Sequence, residues 1–251
     1  MKIAIIIPAY NEENRIGKTI VTYQEFFKDQ LPNTVDYIVV NNGSTDGTVG
    51  LIKELQKNFD NLYLINCDQA GKGLAITAGF KHALTKPYDL IGFVDADMAT
   101  APEAYNNLII TINGYDGIIA SRYMPGAVVQ PPRPLIKRWG SKLFFESLVR
   151  ILFGIRYYDT QCGAKLFTHA VVAKITPYLT VKQWAFDIEI LYLCKRFGFR
   201  IKELPTQWHD QAGSKLRMFR SGLRMISTLF SMRWHYRNKL LFFLLIVSMF
   251  N

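Results

Sequence analysis

The chain has 251 residues, and its 30 Lys and Arg exceed its 20 Asp and Glu to give a formal charge of +10. This length accommodates one large α/β domain with a full core, and the charge favours an anionic partner such as a nucleotide or a phospholipid surface. Three widely spaced cysteines form no metal-binding pattern and indicate free thiols in a reducing compartment. The apolar run that begins at the N-terminus and ends at Pro8 is too short for the core of a signal peptide. No apolar run reaches the ~20 residues that a membrane-spanning helix needs.

Short apolar runs alternate with amphipathic segments along the first half of the chain. Continuous apolar runs are typical of buried strands, whereas a 3.6-residue period is typical of helices. The runs predict strands at Lys2–Ile7, Tyr37–Val40, Leu62–Asn66, Ile91–Val94 and Gly117–Arg122. Three helices are predicted. The first lies at about Arg15–Lys28, the second runs from the end of the loop that contains Ser44 and Thr45 to Asn58, and the third lies at Leu74–Leu84. This alternation predicts an α/β protein with a mostly parallel sheet that is covered on both faces.

A polar loop follows each of the first four predicted strands. These loops are Pro8–Glu13, Asn41–Thr48, Gly71–Gly73 and Asp95–Asp97. Ligands of such sheets bind beyond the carboxyl ends of the strands, so one edge of the sheet is predicted to carry a ligand site.

Two carboxylates lie one residue apart in Asp95-Ala96-Asp97. Side chains at positions i and i+2 of a strand point the same way, so both can converge on one point, and Ala96 leaves room for a ligand. Buried carboxylates are costly unless a positive group lies near them. The pair therefore predicts a Mg²⁺ or Mn²⁺ site that also takes nucleotide phosphates. The alternative is a turn that caps the helix opened by Ala101-Pro102-Glu103.

Two later segments, at about 135–153 and 216–235, are basic and amphipathic. Their apolar sides carry Trp139, Leu143, Leu148 and Leu152 in the first and Phe219, Leu223, Ile226 and Phe230 in the second. Such segments suit a membrane interface, with apolar faces in the acyl boundary and cations at the head groups. Core-facing helices with solvated basic backs are the alternative. We predict one domain over residues 1–236 that includes both segments, and an apolar tail over 237–251.

Six motifs together resemble the family 2 glycosyltransferases of the GT-A fold. Three match that family's nucleotide-sugar signatures in order and spacing: Pro8-Ala9-Tyr10-Asn11-Glu12, Asn41–Thr48 and Asp95–Asp97. Three in the second half are similar to motifs of dolichyl-phosphate β-glucosyltransferases and other polyprenyl-phosphate glycosyltransferases: Asp159–Phe167, Trp184–Glu189 and Gly213–Leu216. The chain departs from the family at Asn41-Asn42, where two aspartates are usual.

The resemblance implies a GT-A (Rossmann-like) fold and inverting transfer of a hexose from UDP-glucose to a polyprenyl or dolichyl phosphate. It also implies a metal on Asp97, with Asp95 either beside the metal or on the ribose hydroxyls of the nucleotide. A membrane-associated enzyme at the cytoplasmic face is implied as well. The residues expected at the nucleotide sugar are Pro8, Tyr10, Glu12, Asn41, Lys72, Asp95, Ala96 and Asp97. Asp187 is expected to bind sugar hydroxyls or to orient the acceptor, and Asp159 to do similar work or to hold a loop.

An acceptor phosphate is already an anion, so it needs cations at attack distance more than it needs a general base. The candidates are Arg122, Arg133, Ser214 and Lys215. One alternative keeps the donor site but takes a sugar hydroxyl or a diphospholipid as acceptor. Another is a non-catalytic basic protein that binds anionic membranes. Nucleic acid is not an expected partner, because the basic residues lie in amphipathic segments rather than in a recognisable nucleic-acid module.

Overall fold

The computed structural model describes residues 1–67, 69–131, 145–209 and 224–237. The strands are β1 (Ile3–Ala9), β2 (Val35–Asn41), β3 (Leu62–Asn66), β4 (Leu90–Phe93), β5 (Gly117–Ser121), β6 (Val128–Gln130), β7 (Lys165–Thr168), β8 (Ile201–Pro205) and β9 (Gln207–His209). The helices are α1 (Ile16–Gln30), α2 (Thr48–Leu55), α3 (Lys72–Ala83), α4 (Pro102–Thr111), α5 (145–153), α6 (His169–Ile175), α7 (Phe186–Arg196) and α8 (224–237).

Seven strands form one sheet in the order β3-β2-β1-β4-β7-β5-β8, and β6 pairs with β9 in a separate ribbon. Neighbouring strands of the large sheet are parallel, except that β7 runs antiparallel to both β4 and β5. The predicted mostly parallel sheet is thus confirmed. β7 was not predicted, and it inserts between the fourth and fifth predicted strands.

The sheet is covered by helices on both faces, as predicted. Alternate residues of β1 enter two separate cores, with Ile3, Ile5 and Ile7 in one and Ala4 and Ile6 in the other. The first core also takes the apolar faces of α1 and α4, and the second takes those of α3 and α7. A strand that is buried on both faces has to be apolar at every position, which explains the uninterrupted run in β1.

Parts of the two amphipathic segments are described, as α5 and α8. Leu148 and Leu152 of the predicted apolar stripe pack against the core rather than facing outward, which agrees with the core-facing alternative for α5. On α8 the core side consists of Leu229, Met232 and Tyr236. Membrane contact by these segments remains a prediction.

Each of these helices nevertheless keeps apolar side chains on its outer side. Ile151 is 80% exposed on α5, and Phe230 and Trp234 are 53% and 66% exposed on α8. The predicted positions at 135–144 and 216–223, and most of the predicted tail, lie outside the described residues. Within the described ranges, no helix is both long enough and apolar enough to cross a membrane.

Candidate active site

The loops after β1 and β2 are bound to each other at the carboxyl edge of the sheet. The backbone N–H of Asn11 donates to Ser44 Oγ at 3.0 Å, and that of Glu12 donates to Thr48 Oγ1 at 2.8 Å. Asn11 adopts a φ of 53°, which Asn tolerates, and its Oδ1 accepts the N–H of Thr45 at 2.8 Å. The sheet edge that was predicted to carry the site is therefore built by side chains of the predicted motifs.

Asp95 and Asp97 follow β4 at this edge. The strand ends at Phe93, so the two carboxylates lie in the turn beyond it and not in the strand itself. Burial and the charge of Asp95 raise the pKa of Asp97, although Oδ1 of Asp97 accepts the Ala99 N–H at 3.0 Å. The turn thus brings two like charges together at a place where water screens them poorly, which favours a bound cation.

Lys72 supplies one positive charge at this pair. Its ammonium group hydrogen-bonds Asp95 Oδ1 and lies 5.6 Å from the ring centre of Trp184 and 5.7 Å from that of Phe186. Burial alone would lower the pKa of Lys72, but Asp95 and Asp187 outweigh it, so the pKa lies above its ordinary value. Lys72 is therefore a fixed cation beside the acidic pair, in the first turn of α3.

Asp187 lies at the start of α7 and pairs with Lys165 of β7. Both side chains are buried, and Lys165 Nζ also donates to the Cys162 carbonyl at 2.6 Å. Burial raises the pKa of Asp187, and the ammonium groups of Lys165 and Lys72 oppose that rise. Its carboxylate is thus held in place by a neighbouring cation.

Arg122 and Asp159 form a second ion pair at the end of β5, in which Asp159 is buried and Arg122 is partly buried. Arg122 Nε and Nη2 donate to the two carboxylate oxygens at 2.7 and 2.9 Å, and its backbone N–H donates at 3.0 Å. Burial would raise the pKa of Asp159, but Arg122 outweighs it and holds that pKa below its usual value. The predicted phosphate-binding role of Arg122 remains a prediction. A phosphate there would have to share the guanidinium with Asp159.

The remaining nucleotide-site candidates lie around the same edge. Tyr10 is 48% exposed, whereas the Glu12 carboxylate accepts two hydrogen bonds from Arg15 at 2.7 Å each. Pro8 lies within β1, and Ala96 is buried, with its carbonyl accepting Thr19 Oγ1 at 2.7 Å. Their contacts with a nucleotide stay predictions.

The two asparagines that depart from the family pattern both join neighbouring elements. Asn41 donates to Asn66 Oδ1 at 3.0 Å and accepts the Ser44 N–H at 3.0 Å. Oδ1 of Asn42 accepts the N–H of Gly71 at 2.6 Å, next to Lys72. Neutral amides thus connect the ends of β2, β3 and α3.

Three residues of this region were missed by the sequence analysis. A Cβ on Gly163 would come 2.0 Å from Asp95 Oδ2, so the absence of a side chain there lets the carboxylate sit against the loop before β7. Lys165 and Glu189 are fully buried ionisable residues, and they lie in the motifs Asp159–Phe167 and Trp184–Glu189. The available signal was a charged residue within an apolar stretch, as in Ala164-Lys165-Leu166-Phe167. Arg133, Ser214 and Lys215 lie outside the described residues.

Residues 4–173 match the sequence model of glycosyl transferase family 2. The chain belongs to this family. As a family 2 glycosyltransferase it is an enzyme, which confirms the predicted family and class of activity. The matched region includes Asp95 and Asp97, Lys72 and the two loops that follow β1 and β2. Asp187 and Glu189 lie beyond it.

This glycosyltransferase has curated relatives along most of its length. It is 34% identical to dolichyl-phosphate β-glucosyltransferase of Saccharomyces cerevisiae, over 93% of this chain and 75% of the relative. The enzyme of that name in Drosophila melanogaster is 32% identical, over 92% and 74%. Polyprenol monophosphomannose synthase of Mycolicibacterium smegmatis is 29% identical, over 88% and 82%.

Solved structures confirm the fold. Glucosyl-3-phosphoglycerate synthase of Mycobacterium tuberculosis, in complex with Mn²⁺, UDP and glucosyl-3-phosphoglycerate, aligns with a TM-score of 0.67 at 16% identity, covering 92% of this chain and 79% of that one. The same enzyme with Mn²⁺ and UDP-glucose aligns with a TM-score of 0.66 at 15% identity, covering 92% and 78%. The predicted GT-A architecture is thus confirmed.

Proposed function

We propose that this glycosyltransferase moves glucose from UDP-glucose to a polyprenyl phosphate of the dolichyl type, with inversion, at the cytoplasmic face of a membrane. The observation that carries the proposal is the group of Lys72, Asp95 and Asp97 at the sheet edge. It occurs in a chain that aligns over 93% of its length with a dolichyl-phosphate β-glucosyltransferase.

The acidic pair fits a divalent cation, Mg²⁺ or Mn²⁺. Its oxygens are the ligands that such hard cations prefer. Burial and the charge of Asp95 raise the pKa of Asp97, and a cation at this point would offset the negative charge that they disfavour. No cluster of three or more His, Cys, Asp or Glu surrounds it in the described ranges, so donor phosphates and water would complete the shell. When bound, such a cation offsets the negative charge that develops on the leaving diphosphate.

The residues around the pair would hold the donor. The exposed ring of Tyr10 offers a stacking surface for the base, and the Asn41 amide oxygen can accept the uracil imide proton. Lys72 adds a cation for the diphosphate. An oxygen of the acceptor phosphate then bonds to the anomeric carbon while the bond from that carbon to the diphosphate breaks, and UDP leaves with the electron pair.

Asp187, buried and paired with Lys165, is proposed to bind sugar hydroxyls or to orient the acceptor. A phosphate acceptor needs no general base, because it is already an anion. The proposed cations for it are Arg122, Arg133 and Lys215, with Ser214 as a hydrogen-bond donor.

We expect Arg133→Ala and Lys215→Ala to raise the KM for polyprenyl phosphate roughly ten- to a hundredfold, because each loses a charge-assisted contact. The KM for UDP-glucose should change little. Lys53→Ala, on the exposed side of α2, is the matched control. Steady-state kinetics with each substrate varied separately give the result. A rise in KM for the nucleotide sugar alone would place both residues at the donor instead.

Incubation of the protein with Mn²⁺ or Mg²⁺, a panel of nucleotide sugars and a polyprenyl phosphate in detergent tests the proposed reaction. We expect one lipid product, identified by mass as a hexosyl monophospholipid formed from UDP-glucose. It should survive mild base and release its sugar in mild acid. Product formed only with a diphospholipid or a sugar hydroxyl would support the alternative transferase. Binding to anionic vesicles without transfer would support the non-catalytic protein.

We expect Trp234→Ser and Phe230→Ser each to weaken binding to anionic vesicles by roughly tenfold, since burial of a large apolar side chain in the interface contributes a few kcal/mol at most. The exposed arginines Arg224, Arg233 and Arg237 share their helix with these side chains. Ile110→Ser removes an equally exposed apolar side chain from α4 and is the control. Vesicle co-sedimentation at low salt is the measurement. A wild-type protein that stays in solution there would overturn the proposed membrane contact.

A further inference from the structure

Glu189 is a fully buried carboxylate in the first turn of α7, and the proposed reaction does not use it. Its two oxygens accept the backbone N–H of Thr180 at 3.0 Å each, and the Thr180 hydroxyl at 2.6 Å. The N–H of Val181 donates to Oε2 at 2.9 Å. A carboxylate with this many donors is well compensated for its burial, and it fixes the backbone at residues 180–181.

Tyr236 brings α8 to the same carboxylate. Its hydroxyl lies 2.9 Å from Glu189 Oε1 and 2.9 Å from the carbonyl oxygen of Tyr178, and its side chain is 2% exposed. Its ring lies 5.2 Å from that of Tyr192 on α7. One hydroxyl thus joins α8 both to Glu189 and to the segment that precedes residue 180.

The other side of this segment contacts the start of α3. A Cβ on Gly73 would come 2.2 Å from the Val181 carbonyl oxygen, and one on Gly71 would come 2.4 Å from that of Lys182. The N–H of Leu74 donates to the Lys182 carbonyl at 3.2 Å. Lys72 stands between the two glycines. Its approach to Asp95 therefore depends on where residues 180–182 lie.

We propose that Glu189 and Tyr236 are positioning residues for the donor site. They hold residues 178–184 against the first turn of α3 and thereby set Lys72 beside Asp95. In this arrangement α8 forms part of the structure that binds the donor diphosphate. The inference rests on the proposed function, because it takes the diphosphate of a nucleotide sugar as the ligand at Lys72.

Binding of UDP in the presence of Mn²⁺, measured by calorimetry, tests the role in donor affinity. We expect Tyr236→Phe, which removes one oxygen and keeps the ring, to raise the Kd on the order of three- to tenfold. The thermal midpoint should fall by only about a few degrees, so the variant stays folded during the measurement. Tyr192→Phe is the matched control, since its hydroxyl makes no hydrogen bond to the described residues. Glu189→Gln should raise the Kd further, because its amide group would face the N–H donors of residues 180 and 181.

Hydrogen exchange measured without ligand tests the structural link by itself. In Tyr236→Phe the amides of residues 71–76 should exchange faster together with those of residues 178–184, whereas a local role would change only the latter and α8. Unchanged exchange at 71–76, or a Kd for UDP within twofold of the wild type, would overturn the inference. A wild-type protein that binds no UDP would instead refute the proposed function. If Glu189→Gln fails to fold, Tyr236→Phe still decides the question.

Discussion

We expect Asp97→Asn to reduce sugar transfer by roughly a thousandfold or more and yet to make the protein slightly more stable. Transfer falls because the variant removes a carboxylate at the point where charge on the leaving diphosphate has to be offset. Stability rises because burial and Asp95 disfavour the ionised form of Asp97. The asparagine amide oxygen can still accept the N–H of Ala99. The gain at neutral pH should be on the order of 0.5–2 kcal/mol.

The pH dependence of this gain follows from the raised pKa. A carboxyl group with a raised folded-state pKa stabilises the protein at low pH, and this contribution is lost as the pH rises through that pKa. The difference in thermal midpoint between Asp97→Asn and the wild type should therefore grow from acidic to neutral pH. Thermal unfolding in the presence of a chelator measures it without a contribution from bound metal.

Asp29→Asn, at the exposed end of α1, is the control for Asp97→Asn. It should change neither transfer nor the pH profile of stability. Ordinary transfer by Asp97→Asn at the same metal concentration would remove Asp97 from the mechanism. A clear loss of stability at neutral pH would show that the two carboxylates do not repel each other as proposed.

We expect Lys165→Met to cost about 3–5 kcal/mol of folding free energy, because it leaves the carboxylate of Asp187 buried without its cation. The Cys162 carbonyl loses its donor in the same step. Burial already raises the pKa of Asp187, and losing Lys165 would raise it further. The loss of folding free energy in Lys165→Met should therefore be smaller at low pH, where Asp187 is protonated, and larger as the pH rises. Urea unfolding at several pH values gives the measurement.

The double variant Lys165→Met/Asp187→Leu separates the cost of an unpaired charge from the value of the pair itself. It should recover most of the lost stability, since a buried ion pair replaced by apolar side chains is often nearly neutral. Lys81→Met, on the exposed side of α3, controls for the substitution and should lie within about 0.5 kcal/mol of the wild type. A loss below about 1 kcal/mol in the single variant would show that Asp187 is not held by Lys165.

The strands of the first half could be predicted closely. The prediction for β3 agrees with the structure at both ends, and β2 is longer than predicted by two residues at one end and one at the other. A parallel strand buried on both faces needs an unbroken apolar run, and such a run can be recognised without knowing its neighbours. β7 was missed because its four residues contain Lys165 and because it is antiparallel within a parallel sheet.

The helix faces of the second half depend on tertiary contacts. Leu148 and Leu152 were predicted on an apolar side suited to a membrane, and they pack on the core. Phe230, predicted on the corresponding side of the later segment, is exposed. A 3.6-residue period indicates that a helix has an apolar face but does not say what covers it, since protein core and lipid both accept the same side chains.

By itself the sequence determined the alternation of strands and helices, the sheet edge that carries the site and the motifs that lie there, because these follow from local apolar runs and loop residues. Only the tertiary structure decided how the charges pair. Lys72 joins Asp95, Lys165 joins Asp187, and Arg122 joins Asp159, across separations of 22 to 37 residues. An ion pair forms inside a protein when folding removes both partners from water and places them in contact, and neither condition can be read from the neighbours of a residue along the chain.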